Sequence, residues 1–198
     1  MAHVLPWRLQ QTLALLSVLS CAALVAHAAE PVLVQARRQG DAVQVHAQAT
    51  VKAPHDLIWE TLTDYDRLAE FVPDISKSRV LDRRGNKITV ELSGKAHFWF
   101  FTYRIEVVVE STEQPPNAVG VRLLTGNLEQ LDGGYQLEKI DGNDAGFLLS
   151  WSGVVEPVIP VPLVIAIPLI RSNIAEQFAG MVREIERREA RRALGKAE

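Results

Sequence analysis

Across residues 32–156 apolar side chains recur at every second position, and beyond residue 162 they recur every third or fourth. The first period places successive side chains on opposite faces of a strand; the second draws one stripe along a helix. A chain patterned in this way is restricted to an antiparallel sheet, apolar on one face only, with a long helix available to cover that face.

The punctuation places the elements. Val32 and Val34 precede the Gln39-Gly40-Asp41 turn, and Val43, Val45, Ala47, Ala49 and Val51 then share a face, which predicts a hairpin. Ala53-Pro54 ends this strand and opens a helix bearing Ile58, Trp59, Leu62 and Tyr65, with proline in the first turn where its missing N–H is not needed. A second short helix over 66–72 stops at Pro73. Strands are predicted at 78–84 and 87–93 around Gly85-Asn86, and over 98–110, where Trp99, Phe101, Tyr103, Ile105, Val107 and Val109 share a face. Val119, Val121, Leu123 and Thr125 form the next inner face. Asp132-Gly133-Gly134 reads as a turn leading to Tyr135 and Leu137, and Phe147, Leu149, Trp151, Gly153 and Val155 complete the meander. Leu163, Ile167, Ile170, Ile174, Phe178, Met181 and Ile185 make the helical stripe; Pro168 either kinks that helix or begins it. The fold class is α+β: a curved antiparallel sheet wrapped around a long C-terminal helix, with two short helices after the first strands. Such a grip encloses a cavity, and the aromatic and aliphatic inner faces make it apolar.

The first thirty residues belong to a different class. Arg8 is the only charged side chain before Glu30; an apolar run over 13–25 and the small-x-small end Ala26-His27-Ala28 follow. These are the parts of a cleaved secretory signal peptide, so residues 1–28 are expected to leave and 29–198 to form a single domain, periplasmic or secreted. Val18-Leu19-Ser20-Cys21 loosely resembles a lipobox, but Leu19 stands where a small residue is usual, so lipid anchoring at Cys21 is the less favoured alternative. Cys21 is the only cysteine, so cleavage leaves a chain with no thiol nucleophile, redox pair or disulfide. A net charge of −3 argues against nucleic acid as a partner.

The run 51–76 carries a resemblance. A strand ending in Ala53-Pro54, the Trp59 helix, the Asp64-Tyr65 joint, and Phe71-x-Pro73 before a strand start resemble the START-type polyketide cyclase/dehydrase and lipid transport superfamily, nearest its coenzyme-Q-binding branch. Asp74-Ile75 stands where quinone-binding members often carry an aromatic residue and a cysteine. In element order the resemblance extends over about residues 43–190. It implies a helix-grip fold with a deep apolar pocket for lipids, quinones or polyketides, and many members have no catalytic activity.

The residues that bear chemistry are few. His46, His55 and His97 have no compact metal spacing, and solvated histidines are the preferred reading. Asp64 and Asp66 are read as helix caps. No phosphate-cradling loop and no nucleophile elbow is present. Tyr103, Thr125 and Tyr135, with Asn127 nearby, lie on otherwise apolar faces; they either orient a ligand or bond to neighbouring backbone. Trp59, Trp99, Phe101, Leu123 and Trp151 from the first helix and the strands, and Ile170, Ile174 and Phe178 from the long helix, complete the expected ligand-binding lining; core packing is the alternative for each aromatic. The apolar segment 158–168, broken by Pro160, Pro162 and Pro168, is expected to form a lid at the pocket mouth and to touch a membrane surface. The five arginines and three glutamates of 183–192 are read as charge complementing a helix C-terminus.

These features predict an exported, non-catalytic protein that holds a hydrophobic small molecule, a lipid or isoprenoid quinone, with no catalytic residue, metal or cofactor. Two alternatives stand beside it. One is a polyketide cyclase/dehydratase-type enzyme using Tyr103, Tyr135 or Asp64; the other is an envelope interaction module whose cavity its own side chains fill.

Overall fold

A computed structural model describes residues 32–98, 101–142, 146–158 and 162–195. The leader read over 1–28, with Cys21, lies outside these residues, as does Trp99. Eight strands form one antiparallel sheet: β1 (Leu33–Gln39), β2 (Ala42–Val51), β3 (Ile75–Arg84), β4 (Lys87–Phe98), β5 (Phe101–Gln114), β6 (Ala118–Gly126), β7 (Leu128–Lys139) and β8 (Phe147–Pro157). Their order across the sheet is β1-β2-β8-β7-β6-β5-β4-β3. Between β2 and β3 lie α1 (His55–Leu62), a 3-10 turn (Tyr65–Arg67) and the one-turn α2 (Leu68–Phe71). The long helix α3 (Leu163–Gly195) crosses the concave face, packing against β1, β2, β4, α1 and α2. The α+β helix-grip expectation is met.

The alternation resolves as the period predicts. Val43, Val45, Ala47 and Val51 are almost wholly buried on β2, and Ile88, Val90, Val107 and Val109 are buried on β4 and β5. The buried side chains form two clusters. One joins β2, β7 and β8 to α1 and most of α3; the other joins β4 and β5 to Tyr65 and Leu169. The helix starts ahead of Pro168 and runs through it, with the Ile165 and Ala166 N–H groups donating to the Pro162 carbonyl at 2.8 and 3.0 Å.

Three local readings are corrected. The run 98–110 is not one strand: Phe98 ends β4 and pairs with Phe101 at the start of β5. Asp132-Gly133-Gly134 is not a turn but the middle of β7, where Gly133 pairs with Val121 on one side and Gly153 on the other. A Cβ on Gly133 would lie 2.5 Å from the Ser152 carbonyl oxygen, so glycine here permits close approach of strands in a bent sheet. The third correction concerns Asp64 and Asp66: Asp64 stands at the N-cap of the 3-10 turn, but neither side chain makes a capping hydrogen bond. Asp66 Oδ1 accepts the Val80 N–H at 2.7 Å, and Asp64 accepts Arg188 Nη2 at 2.6 Å.

That last bond belongs to a clasp. Glu184, buried on α3, accepts Arg187 and Arg188 at 2.6–2.7 Å, and the Arg188 guanidinium also lies 5.4 Å from the centre of the Phe71 ring. Burial works to raise the Glu184 pKa, but the hydrogen bonds and charges of the two arginines outweigh it and hold the carboxyl below its ordinary value. Arg192 reaches Asp56 on α1 at 2.8 Å. The arginine-rich tail therefore does more than complement a helix end: Arg188 and Arg192 tie α3 to the segment before β3.

Candidate ligand-binding site

Where α3 spans the bend of the sheet, the two clusters share the half-buried Leu68 and Val155 but leave a gap between their buried members. The gap holds two adjoining chambers of about 140 and 160 Å³, which share Ile75, Leu92, Leu131, Ile174 and Gln177 as wall. Together they reach the lower end of the range for small-molecule pockets, about 300–1,000 Å³. The first chamber lies toward the start of α3, between Leu169, Ile170 and Asn173 on one side and Tyr103, Val107 and Leu128 on the other. The second lies toward α1 and α2, among Tyr65, Leu68, Tyr135, Trp151, Phe178 and Met181.

Six of the expected lining residues come together here. Tyr103 and Ile170 line the first chamber, Tyr135, Trp151 and Phe178 the second, and Ile174 both. The Tyr135 and Phe178 rings stack with centroids 6.4 Å apart and 16° between planes. Trp151 folds over Gly153, where a Cβ would come within 2.7 Å of the indole.

Of the other five, Trp59, Leu123 and Thr125 line neither chamber. Trp59 is half-buried on α1 and lines neither chamber. Leu123 is half-buried in the β4–β5 cluster and also lines neither. Thr125 faces solvent, because β6 pairs Leu123 with Val109 but Thr125 with Val108. Leu124 is thus an extra residue in β6, and a one-residue bulge exchanges inside for outside. Phe101 begins β5, its side chain outside the described residues, and Trp99 lies outside them altogether.

The inward polar groups divide between the two outcomes the sequence left open. The Tyr103 hydroxyl donates to the Asn127 carbonyl. Asn127 itself is spent on β5: its Oδ1 accepts the Glu106 N–H at 2.8 Å and its Nδ2 donates to the Arg104 carbonyl at 2.6 Å. The Tyr135 hydroxyl has no hydrogen bond to any described residue, and burial pushes its pKa up to about 12. The sequence reading missed Tyr65 and Gln177. Tyr65 follows Leu62 by three residues and continues the buried face of α1; Gln177 follows Ile174 by three on the stripe of α3. The spacing places Tyr65 on the helical stripe without marking it as lining, and the polarity of Gln177 masks its place on α3. The Tyr65 hydroxyl is buried, facing Ser111 and Glu113 without closing a well-formed hydrogen bond to either. Burial first, and the Glu113 charge second, raise its pKa.

No aspartate, glutamate or histidine lines either chamber among the described residues. Asp64, the carboxylate weighed for acid catalysis, is held by Arg188 at the joint after α1. No cluster of three metal-ligating side chains occurs among the described residues. His46 shares a 2.7 Å hydrogen bond with Ser152 on the solvent face of the sheet.

The sequence model of a family described as polyketide cyclase / dehydrase and lipid transport matches residues 51–182. The chain belongs to that family. The matched span runs from the end of β2 to the buried middle of α3, and so contains every described wall of both chambers. Solved structures with the same fold include a STAR-related lipid transfer protein from Xanthomonas axonopodis, with 16% identity and a TM-score of 0.63 over 80% of this chain and 95% of that one. The Zhui aromatase/cyclase of Streptomyces sp. R1128 has 18% identity and a TM-score of 0.62 over 74% and 95%. A START superfamily protein from Mycobacterium smegmatis has 16% identity and a TM-score of 0.59 over 75% and 97%. Among curated proteins none matches the chain. The structural neighbours thus include both a cyclase and a lipid transfer protein, and the coenzyme-Q-binding branch is not distinguished.

Proposed function

We propose that this protein binds, without catalysis, a hydrophobic small molecule, a lipid or an isoprenoid quinone, between its sheet and α3. One observation carries the reading: the paired chambers have apolar walls and no carboxylate or imidazole among the described lining residues. Burying apolar ligand surface there supplies about 25 cal/mol per Å² before ordering costs. A cyclase would need an acid–base pair at the reacting carbons. Tyr103 is committed to a backbone carbonyl and Asp64 to Arg188, which supports binding over turnover.

The test is native mass spectrometry of the chain, expressed with its own leader and purified without detergent, followed by organic extraction. A stoichiometric apolar molecule is expected. An empty protein that also fails to take up added lipids and quinones overturns the proposal.

The proposal includes export, with cleavage after Ala28 into an envelope compartment. The intact mass of the protein recovered from the periplasmic fraction checks it; a full-length mass, or recovery only from cytoplasm, rejects it. It also includes a membrane-facing entrance. Val158 and Val164 are exposed apolar residues flanking Pro157 and Ala166, which line the first chamber. Among the described residues no helix is long and apolar enough to cross a membrane, so this contact is a surface one. Vesicle flotation should be weakened by Val164→Glu, and unchanged flotation removes the contact from the proposal.

A further inference from the structure

The two chambers differ in how their polar side chains are satisfied. In the first, Tyr103 donates to the Asn127 carbonyl, and Asn173 Nδ2 donates to the Lys95 carbonyl at 3.3 Å. In the second, Tyr135 makes no hydrogen bond to any described residue, and Tyr65 carries a buried hydroxyl without a partner. Gln177, on the wall common to both, likewise makes no hydrogen bond to the described residues. Nearly all buried polar groups in folded proteins are paired, and leaving one bare is costly. Bare groups collected on one side of an apolar cavity are the arrangement by which small-molecule sites fix the orientation of what they bind.

The charges around that chamber restrict the ligand further. Lys95, the only charged residue along either wall among those described, is exposed and belongs to the first chamber. Behind Tyr65 stands the Glu113 carboxylate, bonded by Arg83 Nη1 at 3.2 Å. A carboxylate or phosphate head entering here would give up its water and find no cation along the wall, because Arg83, 6.0 Å from the centre of the Tyr65 ring, is already paired with Glu113. The cost of an unpaired buried charge is far larger than that of a neutral oxygen that can accept a hydrogen bond.

We propose that the second chamber receives the polar end of a neutral amphiphile, a hydroxyl or carbonyl oxygen hydrogen-bonded to Tyr135 with Gln177 beside it, while the first chamber takes its apolar remainder. The assignment rests on the binding function proposed above and names the ligand class: uncharged, oxygenated at one end, apolar along the rest. Burial keeps the Tyr135 hydroxyl protonated across the physiological range, so it stays available as a donor.

The test is competition at pH 8 against the neutral fluorophore N-phenyl-1-naphthylamine, using dodecanol, 2-dodecanone and dodecanoate as matched probes. The alcohol and the ketone are expected to displace the fluorophore at concentrations at least about tenfold below the carboxylate. Tyr135→Phe keeps the ring that stacks on Phe178 and should weaken the alcohol and ketone by about tenfold, equivalent to about 1.4 kcal/mol, each measured against the fluorophore affinity of the same variant. Gln177→Met should do the same to a smaller degree. Equal binding of dodecanoate, or a preference that survives both substitutions, overturns the head-group assignment while leaving the binding function standing. A protein that binds neither the fluorophore nor any added lipid or quinone overturns the binding function, and the head-group assignment with it.

Discussion

The two halves of α3 have the same stripe and opposite surroundings. In the first half Ala166, Leu169, Ile170, Ile174 and Phe178 line the two chambers, Val164 stands in solvent, and Pro168 removes a backbone donor. Beyond Met181, which closes the second chamber, the helix is in close contact: Val182 and Ile185 are buried, and Glu184 and Arg188 clasp the Asp64 joint. Close packing is the ordinary state of a protein interior. The second half keeps it against α1 and α2, whereas in the first half the packing of Ala166, Leu169, Ile170 and Phe178 is interrupted by the chambers. The comparison teaches that stability and binding are assigned to different lengths of one helix: the C-terminal half anchors the grip, and the N-terminal half is left facing space that a ligand can fill.

Substitutions break this comparison in a definite order. Arg188→Ala strips a partner from two carboxylates, one of them buried, and should cost about 3 kcal/mol of unfolding free energy in urea titrations, the lower end for a broken buried pair. Affinity for an apolar probe should stay within a few-fold. A loss below 1 kcal/mol would mean that the clasp is ornamental.

On the other half, Ile174→Trp puts a large side chain into the wall that the chambers share and should weaken apolar-probe binding on the order of a hundredfold. The melting temperature should move by only a few degrees. Leu123→Trp is the control, since that side chain lines neither chamber; binding should persist. Equal loss in both variants would show that the chambers are not where probes bind.

Gly180 marks the boundary between the halves. Alanine in a helix is ordinarily the more stable residue by about 1 kcal/mol. Here its Cβ would lie 2.8 Å from the Phe71 carbonyl oxygen and closer still to the Pro73 ring. Gly180→Ala should therefore reverse the usual sign and destabilise by about 2 kcal/mol in the same titrations. A gain in stability would show that α3 has room to shift there.

The smallest effect is in pH. The Glu184 carboxyl titrates below its ordinary value of 4.5, so the stability it contributes is fully present above about pH 4.5 and disappears as pH falls through its lower folded-state value. Thermal melts from pH 7 to 3 should fall less steeply for Glu184→Gln than for the unaltered chain. Parallel curves would remove Glu184 from the acid limb.

How much of this was legible in the sequence differs between the fold and the site. Strand faces followed from alternation wherever the ladder is regular, as on β2, where side-chain direction is a local property of extended backbone. Thr125 shows the limit. One extra residue at Leu124 inverts every later side chain, and nothing in the residues themselves announces a bulge that is defined by the pairing of β6 with β5. Gly133-Gly134 shows another: glycine serves a turn and a close strand approach equally well, and only the neighbouring strand distinguishes them.

The site was legible as composition but not as geometry. Six of the eleven lining candidates reach the chambers because apolar inward positions converge on any grip of this kind. The pairing of their polar members is another matter. Tyr103 and Tyr135 have the same chemistry and the same parity, yet one finds a backbone carbonyl and the other finds none. The sequence by itself determined the sheet, the covering helix, the apolar interior and the absence of a thiol beyond Cys21, because periodicity and composition act over short stretches of chain. Tertiary structure alone decided that the helix stands off the bend, that Arg188 reaches across to Asp64, and that the bare hydroxyls gather in one chamber. Each of these depends on distances between segments remote in sequence, which no local pattern records.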